Sequence, residues 1–268
     1  MSIASAVLHK EPVTSSPLIE VMNLSLTYHG RNNKSNVLDN INLQLYQNDF
    51  VCVLGPSGCG KSSLLNVLAG FVKPTTGEVI IDGEKHNKPN SDVGVIFQHH
   101  NLFPWLTIEK NIEFGLKMKS VPKSARKKIV SRLLKMVELE SAAKMWPHQL
   151  SGGMKQRVSI ARTLATDPKV ILMDEPFSAL DALTRENMQR HLIGIWEETQ
   201  KCIFFITHDV EEALLLGTRI LVMHPNPGRI VVDMLNPLRQ PGKSREEIKE
   251  LKEFNELRNH FISKIRSS

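Results

Sequence analysis

Gly55-Pro56-Ser57-Gly58-Cys59-Gly60-Lys61-Ser62 spells GxxxxGKS, a run able to wrap a polyphosphate. Its glycines let consecutive amides curl round phosphate oxygens where a helix N-terminus adds N–H groups of its own. Lys61 can reach the β and γ oxygens, and the hydroxyl of Ser62, with Ser63 beside it, can ligate Mg²⁺. Further along, Asp174-Glu175 places two carboxylates directly after the apolar run Val170-Ile171-Leu172-Met173. Alone, such a pair also fits a surface turn. Downstream of a phosphate loop, Asp174 suits Mg²⁺ held through its water shell, and Glu175 suits orienting or deprotonating a water opposite a γ-phosphate. In Leu150-Ser151-Gly152-Gly153-Met154-Lys155-Gln156-Arg157, the Ser151 hydroxyl and the amides of Gly152 and Gly153 can make a second anion-binding surface. An ordinary helix cap would look the same. His208, in Ile206-Thr207-His208-Asp209, reads by itself as a polar strand end.

The elements that must position these groups follow from periodicity. Phe50-Val51-Cys52-Val53-Leu54 predicts a buried strand and Ser63 to Ala69 a helix, so the phosphate loop joins strand to helix. Asp174 and Glu175 end a second buried strand, at the edge where ligands bind in open α/β sheets. Leu18 to Tyr28 and Leu38 to Tyr46 alternate as antiparallel strands, with a loop expected over 29–36. Val79 to Ile81 and Val93 to Phe97 predict short strands, as do Cys202 to Ile206 and Ile220 to Met223. Ile108 to Met118 and Lys123 to Leu139 predict helices, the second with Ile129, Leu133, Met136 and Val137 on one face. Its other face carries Lys123, Arg126, Lys127, Lys128, Arg132 and Lys135, open to plain solvation or to an acidic partner or lipid headgroups. Met188, Leu192, Ile195 and Trp196 mark another amphipathic helix, and Arg245 to Ile265 a C-terminal one. The expectation is an α/β fold: a P-loop NTPase core with a mainly parallel sheet, an N-terminal antiparallel β subdomain and an inserted helical subdomain over about 99–165. Residues 1–17 are expected to be a frayed, flexible N-terminus and 236–268 a short helical tail, with the globular part over 18–235.

Composition narrows the classes further. The 268 residues are 41% hydrophobic, enough for a large core and against disorder. Thirty-four Lys and Arg against 28 Asp and Glu give +6 at neutral pH, which suits anionic ligands without specifying nucleic acid. Cys52, Cys59 and Cys202 have neither metal-ligand spacing nor a disulfide framework, which points to a reducing compartment. No secretory signal and no membrane-spanning run is read, so a membrane role would come through a partner.

With the phosphate loop, the LSGG run and the Asp-Glu pair in this order, the chain resembles the ATP-binding-cassette ATPases over about residues 18–235. The resemblance implies ATP and Mg²⁺ as cofactors, and a head-to-tail dimer in which the LSGG segment faces the phosphate loop of a second copy. It makes Tyr28 the aromatic that stacks on adenine, and Gln98 the residue linking Mg²⁺ and the water site to the helical subdomain. Ser178-Ala179-Leu180-Asp181 becomes the loop joining the two sites, and His208 the γ-phosphate switch. Met154 departs from the usual Gln, which removes a side-chain hydrogen bond. Gln98 to Thr107, Pro176 to Arg185 and Pro225 to Val231 resemble the forms found in importer ATPases for nitrate, alkanesulfonates and taurine. That implies integral membrane permease partners, a solute-binding protein acting indirectly, and a peripheral place on the cytoplasmic face of the cell membrane. Phe103, Pro104, Trp105 and Leu106 are then an apolar knob for the permease, or else packed internally. Lipoprotein-release and export systems share the same motifs. A soluble relative acting on DNA or ribosomes is the remaining alternative, but such relatives add a coiled coil or a second cassette, so no nucleic-acid partner is expected.

Overall fold

Alternating burial shapes the first elements. Strand β1 (Ile19–His29) turns Ile19, Val21, Leu24 and Leu26 inward, and it pairs antiparallel with β2 (Lys34–Leu45), which buries Leu38, Ile41, Leu43 and Leu45. The computed structural model describes residues 16–29, 34–239 and 245–267, so the expected N-terminal fraying over 1–17 falls almost wholly outside them. The loop expected over 29–36 is shorter than the sequence predicted. Lys34, Ser35 and Asn36 already pair with His29, Tyr28 and Thr27, because ladder hydrogen bonds extend the hairpin past the point where hydrophobic alternation stops.

The molecule divides into two compact units, Met1–Asn90 with Cys202–Ser268, and Ser91–Lys201. In the first, β1 also pairs with β4 (Thr76–Ile81), which carries the two-residue β5 (Glu84–Lys85) on its far edge. Strand β3 (Phe50–Leu54) runs parallel to both β8 (Cys202–Ile206) and β9 (Arg219–His224), and β10 (Arg229–Leu235) closes antiparallel on β9. Every residue of β3 and β8 is buried, as continuous apolar strands of a covered parallel sheet must be. Arg219, buried in β9, is compensated by the Asp233 carboxylate and by a bond to the Gln44 carbonyl at 2.6 Å.

Helices α1 (Lys61–Leu68), α6 (Val210–Leu216), α7 (Arg245–Glu250) and α8 (Lys252–Arg266) complete this unit. The single helix predicted from Arg245 to Ile265 is therefore two, broken at Leu251 in extended conformation. Phe254, Leu257 and Phe261 share one helical face, but Ile248 would lie about 150° from its centre on a continuous helix. The break lets all four be buried.

In the second unit β6 (Val93–Ile96) and β7 (Val170–Asp174) are parallel neighbours, and α2 (Ile108–Met118), α3 (Lys123–Met136) and α4 (Gly152–Ala165) pack on one another. Helix α5 (Ala182–Thr199) completes it. Helix α3 buries Val130, Leu133 and Leu134, not the predicted Ile129 and Met136, which are half-exposed. Val130-Leu133-Leu134-Val137 is an equally periodic stripe one residue further round, and packing selects it. Arg126 also leaves the predicted solvated face: it donates to Glu113 at 2.9 Å and to the Val121 carbonyl at 2.8 Å. Among the described residues no helix is long and apolar enough to cross a membrane.

Candidate functional site

In the first unit the buried β3 hands the chain to the loop Gly55–Ser62 and then to α1. Gly60 caps α1 in the left-handed region (φ 97°, ψ 5°), a conformation that costs glycine little, and no side chain caps the first-turn amides. No acidic residue stands in that turn. Helix dipole and N–H groups thus present a surface suited to an anion. Lys61, only 7% exposed, folds into the curl of the loop, where Nζ donates to the carbonyls of Gly55 at 2.7 Å and Pro56 at 3.0 Å. The Cys59 thiol lies 3.8 Å from the same ammonium; burial pushes its pKa up, and Lys61 draws it partly back. Cys59 is fully enclosed, and its Sγ fills the space beside Gly55.

Strand β8 is parallel to β3 with Ile206 beside Val53, so His208 and the phosphate loop leave adjacent strands at the same edge. The corner is fixed by Thr207, whose hydroxyl accepts from the Asp209 amide at 3.0 Å. Asp209 in turn caps α6 by accepting from Glu211 and Glu212. His208 itself is exposed. Tyr28, 43% exposed near the end of β1, faces Ser35 across the hairpin, and Ser57, Gly58 and Ser62 are also exposed.

In the second unit the same geometry recurs. Ile96 of β6 pairs with Met173 of β7, so Gln98 and the Asp174-Glu175 pair emerge from one edge of a parallel pair. Gln98 is exposed and both carboxylates are half-buried. Glu175 takes φ +45°, a left-handed value that strains a residue bearing a Cβ. The turn after it is held by Ser178, whose Oγ donates to the Glu175 carbonyl at 2.9 Å. Each unit offers an oxygen donor of the kind Mg²⁺, a hard cation, takes: the Ser62 hydroxyl in the first and the Asp174 carboxylate in the second.

Ser151 caps α4 through its hydroxyl, which accepts from Met154 N at 3.3 Å, leaving Gly152 exposed at the helix start. Asp181 caps α5 in the same manner, accepting from Thr184 N at 3.0 Å, and that bond holds its carboxyl below the usual range. The two helix starts touch: a methyl group on Gly153 would fall 2.6 Å from Thr184 Cγ2. Beside them a cleft of about 740 Å³ is lined by Ser151, Gly153, Met154, Arg157, Thr184 and His191.

Several residues that matter were missed in the sequence. Asn111, fully buried on α2, accepts from the Phe103 amide at 2.8 Å and donates to the carbonyls of Phe103, Leu106 and Thr107. Its signal was an amide on the apolar face marked by Ile108 and Ile112. Arg162 of α4 donates to the carbonyls of His100 and Asn101 and lies 5.5 Å from the centroid of the Phe103 ring. His100 bonds Gln156 at 2.6 Å. Against this scaffold Phe103 packs on Phe114 with centroids 4.5 Å apart, while Trp105 stands 68% exposed.

Comparison with known proteins gives a consistent set of relatives. A family model described as ABC transporter matches residues 38–178. A taurine import ATP-binding protein of Rhizobium johnstonii is 43% identical over 256 residues, covering 94% of this chain and 97% of its own length. An aliphatic sulfonates import ATP-binding protein of Bacillus cereus is 48% identical over 217 residues, covering 81% of this chain and 85% of itself. Among solved structures, a dimeric ATP-binding cassette in a post-hydrolysis state bound to ADP and Pi superposes with a TM-score of 0.71 at 37% identity, over 81% of this chain and 98% of that one.

Proposed function

This chain belongs to the ABC transporter family and is an ATP-binding, ATP-hydrolysing subunit of it, and we propose that it drives import of a small anion of the sulfonate, taurine or nitrate class through a separate membrane permease. The observation that carries the permease is the loop Phe103–Thr107. Asn111 holds its backbone, Arg162 holds the carbonyls of His100 and Asn101 just before it, and Trp105 is turned outward, at a cost in exposed apolar area that an interface would recover. The solute class rests on the importer relatives. Transported solute would meet the permease and a solute-binding protein, not this chain.

In the proposed mechanism Tyr28 stacks on adenine, and Gly55, Pro56, Ser57, Gly58, Cys59, Gly60, Lys61, Ser62 and Ser63 enclose the phosphates. Lys61 exchanges its loop carbonyls for β and γ oxygens. Ser62, Asp174 and Gln98 would hold Mg²⁺, which when bound would offset charge on those oxygens. Glu175 accepts a proton from water as its oxygen attacks the γ-phosphorus in line, and the bond to the β–γ bridging oxygen breaks. His208 senses the γ-phosphate, and Ser151, Gly152 and Gly153 of a second copy close over it, so that ATP joins two copies and hydrolysis releases them. Glu175→Gln tests this reading. MgATP should still bind and bring two copies together in light scattering, while steady-state phosphate release falls by orders of magnitude, since only the transition-state role is lost. Near-normal turnover, or a persistent monomer at saturating MgATP, would refute it.

A further inference from the structure

The turn Pro225-Asn226-Pro227-Gly228, between β9 and β10, lies against the phosphate loop at Cys59, and we propose that Gly228 is a positioning residue for ATP binding, its backbone clamping that loop to β2. Gly228 N donates to the Val37 carbonyl at 2.9 Å, and its carbonyl accepts from Asp39 N at 3.0 Å, so the turn runs beside β2 as a short parallel bridge at Leu38. The approach is close enough to require glycine. A methyl group at 228 would fall 2.6 Å from the Val37 carbonyl oxygen and 3.1 Å from Leu38 Cδ2, and closer still to the carbonyl oxygen of Cys59.

The same strand residues press on the loop from the other side. Leu38 is fully buried, and a methyl group on Gly60 would lie 2.7 Å from its Cδ2 and 3.1 Å from the Val37 carbonyl oxygen. Where the loop begins, Gly55 rests on β9, its missing methyl only 2.5 Å from the Met223 carbonyl oxygen. The β9–β10 hairpin thus supports the loop at both ends. Arg229 closes the outside, donating from Nε to the Asp39 carboxylate at 2.9 Å.

The physical consequence is preorganisation. A loop rich in glycine has many conformations to lose, and its amides converge on phosphate only if the backbone is held in one curl. Backbone packed on the Cys59 carbonyl holds that curl before ATP arrives. Strand β2 also places Ser35 opposite Tyr28, so one clamp ties the adenine side of the site to its phosphate side. The inference rests on ATP occupying this loop.

Calorimetric titration with MgATP, alongside the thermal midpoint of the nucleotide-free chain, tests it. Gly228→Ala forces backbone apart and should raise the Kd about tenfold. Arg229→Asp and Asp39→Arg should each raise it about threefold, the scale of a partly exposed ion pair, and the double swap should restore wild-type affinity. A merely structural turn would lower the midpoint without moving the Kd, and restoration by the swap would not appear. Wild-type affinity in folded Gly228→Ala overturns the proposal. Should that variant not fold, wild-type affinity in both charge variants overturns it equally. Failure of the wild-type chain to bind MgATP would instead remove the nucleotide reading beneath it.

Discussion

At the scale of single residues, two side chains of the phosphate loop make opposite demands. The Lys61 ammonium is buried and held by the Gly55 and Pro56 carbonyls, so moving it onto a phosphate would exchange one set of charge-assisted bonds for another, stronger set. Lys61→Ala should therefore lose most MgATP affinity by equilibrium titration, and unchanged affinity would count against its phosphate contact. Cys59 is enclosed beside that ammonium, and burial raises its thiol pKa, so thiolate is scarce at neutral pH and rises only as the medium becomes more alkaline. Alkylation followed by mass spectrometry should be slow at Cys59 in the native chain, and confirmed modification should abolish MgATP binding, because the added bulk has no room. Binding retained after modification would contradict that. These residues were readable from the sequence because the chemistry is local: eight contiguous positions carry a strand end, a left-handed cap and a cation. Gly228 was not readable as part of the site, since its contacts with Val37 and Cys59 join segments far apart in the chain.

At the scale of elements, Asn111 shows how α2 carries a loop. Its Oδ1 accepts one bond and its NH₂ shares two hydrogens among three carbonyls on the backbone from Phe103 to Thr107. Asn111→Ala should destabilise the chain by about 2 kcal/mol, because buried backbone groups lose their partners. Amides from Phe103 to Leu106 should also exchange hydrogen faster by mass spectrometry; unchanged exchange would show that the loop holds itself. Strand positions were legible where both faces are buried, as in β3 and β8, since continuous apolar runs leave little choice. Helix faces were less legible. In α3 two stripes of equal period competed, and only packing against α2 and α4 favours Val130, Leu133 and Leu134. Similarly, the break at Leu251 answers to burial of Ile248, which no local propensity announces.

At the scale of the whole molecule, no helix among the described residues is long and apolar enough to cross a membrane. The central claim is that ATP hydrolysis here serves a separate permease, reached through the exposed Trp105. Trp105→Asp leaves the nucleotide residues untouched, so it should bind MgATP as the wild type does and yet lose the membrane partner. The most direct measurement is recovery of the tagged chain from its native membranes in mild detergent, with and without Trp105→Asp, followed by mass spectrometric identification of partners and ATP turnover on the eluate. The wild type should bring down a polytopic permease with ATPase activity, and the variant should lose the permease. Recovery of ribosomal or DNA-bound proteins alone, with no integral membrane subunit, would contradict it.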